Sequence, residues 1–366
     1  MRDAPALLTV RAISARVVSV PMNRPLWTSA QVMRQAPLLL VDLHTEEGIT
    51  GHAYLFCYLQ AAGGAISAIL ADVGTRLKGK PVTPMLLRKA MADAARLIGQ
   101  RGIMSMAAAG VDMAAWDALS KAAGLPLVRM LGSEPRPIQA YNSNGLGLIG
   151  PQEAADEALE LLEGGFTGIK MRLGRPTAQA DLAAVQAVRQ ALPDSVALMA
   201  DYNQALNMVD ASARCAMLDG EGLYWIEEPM RHDDYASYAE LRRELATPLQ
   251  IGENFAGPKG MATALAACCT DFVMPDAERI GGVSGWMEAA ALAAAQDIPM
   301  SSHLFPEVSV HLLAATPTCH WLEYMDWASP ILQSPPEVIE GNLTPGEAPG
   351  SGMAWDEEAV ARYLVG

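Results

Sequence analysis

The sequence predicts an α/β protein: a β/α barrel preceded by a smaller α+β domain. From Pro137 onward, apolar runs of strand length alternate strictly with alanine-rich helical patterns, and eight such runs occur: IQAYNS, GIKMRL, ALMADYN, LYWIEEP, LQIGEN, FVMPDA, IPMSSH and HWLEYM. Three runs carry an acid at their end, Asp201, Glu227 and Glu253, at intervals of about 25 residues, the length of one strand plus one helix in such a barrel. Before Pro137 the order differs, with strand-like runs first and helical ones after, as in an α+β unit. Eight strands with alternating helices argue for a barrel over an open doubly wound sheet, and no GxGxxG opens any of the helices.

Taken in order, residues 10–20 and 37–43 read as strands rich in Val and Leu, and 51–56 as a third, reached through the turn at 45–48. Residues 21–36 between the first two read as an irregular stretch carrying Arg24, Trp27 and Arg34. Helical periodicity follows over 61–77, 83–97 and 102–123, the last closed by Gly124 and Pro126. The first domain therefore takes residues 1–133 and the barrel 134–333, with Gly164–Gly165, Pro193 and Pro248 punctuating its connections. The segment 334–366 is rich in Pro and Gly until a short helix at 355–364, expected to pack back on the first domain.

Of the 366 residues 51% are hydrophobic and 18% charged, which supplies a large core and no compositional sign of disorder. A net charge of −15, with no local block of Lys and Arg, argues against nucleic acid and anionic membranes as partners. The five cysteines, Cys57, Cys215, Cys268, Cys269 and Cys319, have no metal-ligand spacing, and their odd number fits a reducing compartment. Without a signal-like start or an apolar run of about 18 residues, the expected location is the cytoplasm.

Strand ends in a barrel converge on one pocket. Three carboxylates there, Asp201, Glu227 and Glu253, are the hard oxygen donors that Mg²⁺ takes. Asn203, two residues past Asp201, shares its face if the strand continues; it reads equally as a substrate contact or as a helix N-cap. Lys170 and Arg172 share a face one strand upstream, placed to hold a substrate anion or move protons unless they are simply solvated. Asp276 and His303 end adjacent strands; a carboxylate on Nδ1 of the ring raises the basicity of Nε2 and makes a general base. Glu323, ending the eighth strand, faces the same pocket, and if protonated by its acidic surroundings it donates a hydrogen bond to a developing oxyanion. Removing a proton α to a carboxylate creates a dianionic enolate, which calls for a metal, hydrogen-bond donors and an adjacent base, and the chain has all three.

The stretches MAAAGVDMAAWDAL, QAYNSNG, DYNQAL, WIEEP, GEN, MPDAERIGGVSGW, IPMSSHLF and HLLAATPTCHWLE together resemble the enolase superfamily, mandelate racemase subgroup, over almost the full chain. The resemblance implies a capping domain on a modified TIM barrel, (β/α)7β, with Mg²⁺ on Asp201, Glu227 and Glu253. It implies that His303 with Asp276 is the base for one face of the substrate, that Glu323 and Lys170 bind its carboxylate, and that Ser143 and Asn203 contact it. The loops near 21–36 and 51–60 would cover the pocket with Leu26, Trp27, Val32, Met33, Tyr54 and Phe56, a lining suited to an aryl or alkyl group, while Arg24 or Arg34 would suit a second carboxylate or hydroxyls. A homo-oligomer acting on a small carboxylate is implied as well.

One position departs from the family pattern. The second lysine of its Lys-x-Lys motif, the base for the opposite face, is Arg172 here, and arginine keeps its proton at a pKa above about 12. The leading expectation is racemisation or epimerisation of a 2-hydroxycarboxylate with Arg172 as a slow or specially tuned second base. The alternative is an acid-sugar dehydratase in which His303 is the sole acid and base; a non-catalytic carboxylate-binding protein is the third reading.

Overall fold

In the computed structural model, which describes residues 7–365, the capping domain opens with an antiparallel sheet in the order β1 (Val10–Trp27), β2 (Val32–Thr45), β3 (Thr50–Phe56). β1 and β2 pair from Val10 opposite Thr45 out to Trp27 opposite Val32, with a register shift between Pro21 and Leu26. The stretch expected to be irregular is thus the far end of a long hairpin, turned at Thr28, whose N–H donates to the Gln31 carbonyl at 3.0 Å. Pro21 and Pro25 do not break it because β1 is an edge strand, where a missing N–H on the open side interrupts no ladder.

Two helices cover this sheet, α1 (Gln60–Leu77) and α3 (Ile103–Ala123), and α2 (Pro84–Ala94) packs on both of them. Helix α3 buries Ala107, Ala114, Ala115 and Ala118 and lies so near β3 that a Cβ on Gly51 would stand 1.9 Å from the Ala114 carbonyl oxygen. Small residues on both sides allow that approach.

The barrel strands are β4 (Ile138–Asn142), β5 (Gly168–Arg172), β6 (Ala197–Asp201), β7 (Leu223–Glu227), β8 (Leu249–Ile251), β9 (Phe272–Val273) and β10 (Leu322–Tyr324), parallel and in the order β10-β4-β5-β6-β7-β8-β9. The run at 298–303 closes the ring through single bridges: Met300 meets both Val273 and Cys319, and Asp276 meets His303. It is less regular than expected because Pro299 offers no N–H to a neighbour. A short strand absent from the sequence reading, β11 (Asn342–Leu343), pairs antiparallel with β4.

Inside the barrel, below the strand ends, Tyr141, Met199, Trp225 and Trp321 form one packed cluster. Burying side chains of this size stabilises by about 2–3 kcal/mol each and makes the barrel a solid floor rather than a pore. Alternation along the strand then puts Trp225 in the floor and Glu227, two residues on, just above it on the same face. The last helix, Glu357–Tyr363, packs on β1: Arg16 pairs with Glu357, and Val18 bridges Leu364. No helix among the described residues is long and apolar enough to cross a membrane.

Candidate active site

The parallel register does most of the positioning. Arg172 lies opposite Asp201, Asp201 opposite Glu227, and Glu227 opposite Gln250, so the acids end up side by side at the C-terminal rim. Asp201, Glu227 and Glu253 each offer an oxygen within 4.8 Å of the others, and all three residues are buried. Burial and neighbouring acids push Glu227 and Glu253 above the usual carboxylate range, the state expected of oxygens grouped for a cation. Three clustered carboxylates of this kind fit a small, hard divalent ion such as Mg²⁺.

Lys170 stands among them, its ammonium 2.7 Å from Glu227, 2.8 Å from Glu323 and 3.3 Å from Asp201, and 5.9 Å above the Tyr141 ring of the floor. Burial pulls this lysine down, but Glu227 and Glu323 outweigh it and hold it well above its ordinary value. Against the effect of burial, Lys170 and His303 hold Glu323 below the usual carboxylate range, and the Leu304 N–H donates to it at 2.9 Å.

His303 gives its Nδ1 proton to Asp276 at 2.6 Å, and its Nε2 lies 3.3 Å from Glu253 and 3.9 Å from Glu323. Burial lowers the imidazole, yet Glu253, Glu323 and Asp276 together push it up to about 10. Asp276 is fixed by a second job, since its other oxygen caps the short helix Ala277–Ile280 by accepting from Glu278 N at 2.7 Å and Arg279 N at 3.2 Å. The neighbouring Glu278 carboxylate accepts from Phe56 N at 2.9 Å, which ties this turn to the capping sheet.

Arg172 is buried on β5 and committed to the backbone. It donates to the carbonyls of Ser143 at 2.6 Å and Gly145 at 3.1 Å, and to Ser143 Oγ at 2.9 Å. Ser143 is wholly buried and does not line the cavity; it seats Arg172. Asn203 does line it, in a left-handed conformation (φ 46°), with its N–H and Nδ2 both donating to Asp201 and its Oδ1 buried without a partner.

These groups surround a cavity of about 170 Å³, room for one small acid. The cap supplies Leu26, Thr28, Ala30, Gln31 and Tyr58; the barrel adds Gln204, Asn254, Arg279, Leu304, Met325 and Trp327. Trp27 and Tyr54, expected to touch substrate, do not line it. Trp27 is one residue along the strand from Leu26 and so points the other way, and Tyr54 is buried with its hydroxyl donating to Glu307 at 2.6 Å. Arg24 is also elsewhere, paired with Glu157 and Glu160. Asn254, Arg279, Gln204 and Tyr58 are polar lining residues outside the expected catalytic and substrate-binding set. The loops that follow Glu253 and Asp276 carry the signal for Asn254 and Arg279, because loops after barrel strands open on the pocket.

Comparison with known proteins agrees with this architecture. The family described as Mandelate racemase / muconate lactonizing enzyme, N-terminal domain matches residues 12–132, and that described as Enolase C-terminal domain-like matches residues 153–359. L-talarate/galactarate dehydratase from Salmonella typhimurium is 31% identical over 350 residues, 93% of this chain and 87% of that protein. An enolase from alpha proteobacterium bal199, solved with bound Mg, superposes with a TM-score of 0.96 at 46% identity, covering 98% of this chain and all of that one. An enolase from Bradyrhizobium, solved with magnesium and mandelic acid, gives a TM-score of 0.95 at 41% identity over 99% of this chain and all of that one. With both of its domains matched and the acids of the barrel rim brought together, this chain belongs to the enolase superfamily, in its mandelate racemase / muconate lactonizing enzyme group.

Proposed function

We propose that this enzyme is a Mg²⁺-dependent acid-sugar dehydratase that removes the α-proton of a small 2,3-dihydroxycarboxylate with His303 as its one acid–base group. The observation that carries this reading is the asymmetry of the pocket. His303 has a carboxylate partner on Nδ1 and its Nε2 directed into the cavity, whereas Arg172 donates to the Ser143 and Gly145 carbonyls and the Ser143 hydroxyl, its Nε buried without a partner, and among the described residues no carboxylate pairs with it.

Asp201, Glu227 and Glu253 would hold Mg²⁺. When bound, the ion supplies positive charge against carboxylate oxygens that become more negative as the α-proton leaves. Lys170 faces the same carboxylate with a proton it does not readily lose. Asp276 keeps the His303 ring oriented so that Nε2 takes the proton from C2; the C–H electrons form the C2–C3 double bond as the C3–O bond breaks. The proton on Nε2 passes to the departing hydroxyl, which leaves as water, and the enol product tautomerises to the 2-keto acid. One histidine serves both steps, so no second base is needed. The dehydratase relative from Salmonella supports this reading.

A second reading, racemisation of a 2-hydroxycarboxylate in the manner of mandelate racemase, is favoured by the apolar side of the cavity, Leu26, Leu304, Met325 and Trp327, and by the mandelic acid held in the Bradyrhizobium neighbour. Proton NMR in D₂O with Mg²⁺ separates the two. The expected result is loss of water from a sugar acid and no inversion of either mandelate enantiomer; α-proton exchange with inversion from both enantiomers would overturn the dehydratase assignment in favour of the racemase.

A further inference from the structure

We propose that Arg279 anchors a second carboxylate, so that the acid bound here carries a carboxylate at each end; this rests on the reading of the cavity as a hydroxy-acid site. The barrel ring has eight staves in the order β4 to β9, then residues 299–303, then β10. Lys170 is on β5, and Arg279 sits on the turn after β9, four staves away and therefore on the opposite wall. His303 is on the stave next to Arg279. An acid whose first carboxylate lies against Lys170 and the three-carboxylate cluster thus extends toward Arg279.

Among the described residues lining the cavity, Arg279 is also the cation left to meet an incoming anion. Lys170 is already in contact with three carboxylates, His303 lies against Asp276 and Glu253, and Arg172 is buried on backbone carbonyls. Arg279 donates one hydrogen bond, to the neutral Oδ1 of Asn254, and lies 5.1 Å over the Tyr58 ring. Its nearest carboxylate, Glu278, is 3.9 Å away, beyond hydrogen-bond reach, and 29% of the side chain is exposed. The Tyr58 face and Asn254 hold the guanidinium in place while leaving donors free, and a planar guanidinium matches a carboxylate in two-point contact. Thr28, Gln31 and Gln204 add polar groups for the hydroxyls between the two ends.

The test is calorimetric binding to the Mg²⁺-loaded protein of two probes that differ at one terminal carbon, galactarate with its second carboxylate and galactonate with a hydroxymethyl group. Galactarate is expected to bind more tightly, and Arg279→Met to reduce the ratio of the two affinities by about 10- to 100-fold, the range for a hydrogen bond to a charged partner. Arg279→Lys, which keeps the charge and loses the fork, is expected to restore part of the ratio. Equal affinity for the two acids in the parent protein, or an unchanged ratio in Arg279→Met with folding verified by circular dichroism, would overturn the proposal. Binding separates it from the dehydratase reading: an Arg279-dependent preference with no α-proton exchange in D₂O refutes that reading and leaves the second anchor standing.

Discussion

His303 and Arg172 stand on different walls of one cavity, and the protein holds their protons in different ways. The imidazole is backed by Asp276 at 2.6 Å, which steadies its tautomer and leaves Nε2 basic. The guanidinium is backed by carbonyl oxygens of Ser143 and Gly145, which accept its hydrogen bonds but offer nowhere for a proton to go. A residue's place in a motif is thus no guarantee of its chemistry; the partner behind it decides whether it exchanges protons or braces a loop. His311 extends the lesson. It is buried like His303, but with no carboxylate in contact, burial lowers it to about 4, and its Nδ1 accepts from Val128 N at 3.2 Å. Burial is common to both histidines; the carboxylates make the difference.

The sharpest way to break this comparison is His303→Asn. Exchange of the α-proton in D₂O is expected to fall by about 10³-fold, within the range for a lost general base. Turnover near the parent rate would mean that another group is the base. Next in size is Glu227→Gln, which removes one carboxylate from the cluster that also holds Lys170. Mg²⁺ affinity by titration calorimetry and activity should fall together by more than about 10- to 100-fold, the cost of losing a mere partner of a ligand; full activity in the presence of a chelator would sink the metal assignment.

The histidine comparison yields a pH prediction. His311 has a folded pKa near 4 against an unfolded value of 6.5, so the unfolded chain binds the extra proton first as pH falls. Its contribution to stability is complete above about pH 6.5 and is lost as pH drops through about 4, a change of about 3 kcal/mol. Urea denaturation across that window should have a shallower pH dependence in His311→Gln, and an unaltered slope would rule out the buried neutral ring. The smallest effect is on the other wall: Arg172→Met leaves the Ser143 and Gly145 carbonyls without donors and should lower stability by about 1–3 kcal/mol in denaturant titrations. No measurable loss would contradict its bracing role. Arg172→Lys sharpens the point, because inversion of mandelate appearing in that variant alone would mean the wall is correctly placed and only the residue type prevents two-base chemistry.

The barrel and its acids were legible because each depends on local pattern. Alternating strand and helix periods mark the staves, and acids at strand ends inherit their place from the parallel register. The cap hairpin was not, since Pro21 and Pro25 look like breaks unless β1 is known to be an edge, which is a property of the whole sheet. Leu26 and Trp27 are neighbours in one covering loop, and which of the two faces the cavity depends on how the hairpin docks over the barrel; Leu26 does. Whether Glu323 keeps a proton depends on more than the acids around it, because Lys170, distant in sequence, stands 2.8 Å away. Nothing in the run QAYNSNG shows that the Ser143 hydroxyl accepts from Arg172, a residue 29 positions away. In each case the missing information was a long-range contact.

The cavity draws its walls from two separate stretches of chain: Leu26, Thr28, Ala30, Gln31 and Tyr58 from the cap, and the acids, Lys170 and His303 from the barrel. Mutations in the hairpin tip therefore alter what fits without touching what reacts. Over generations such a molecule can drift from one acid to another while its reaction machinery is inherited intact, and a transplanted hairpin would carry an appetite for a new acid into an old catalyst.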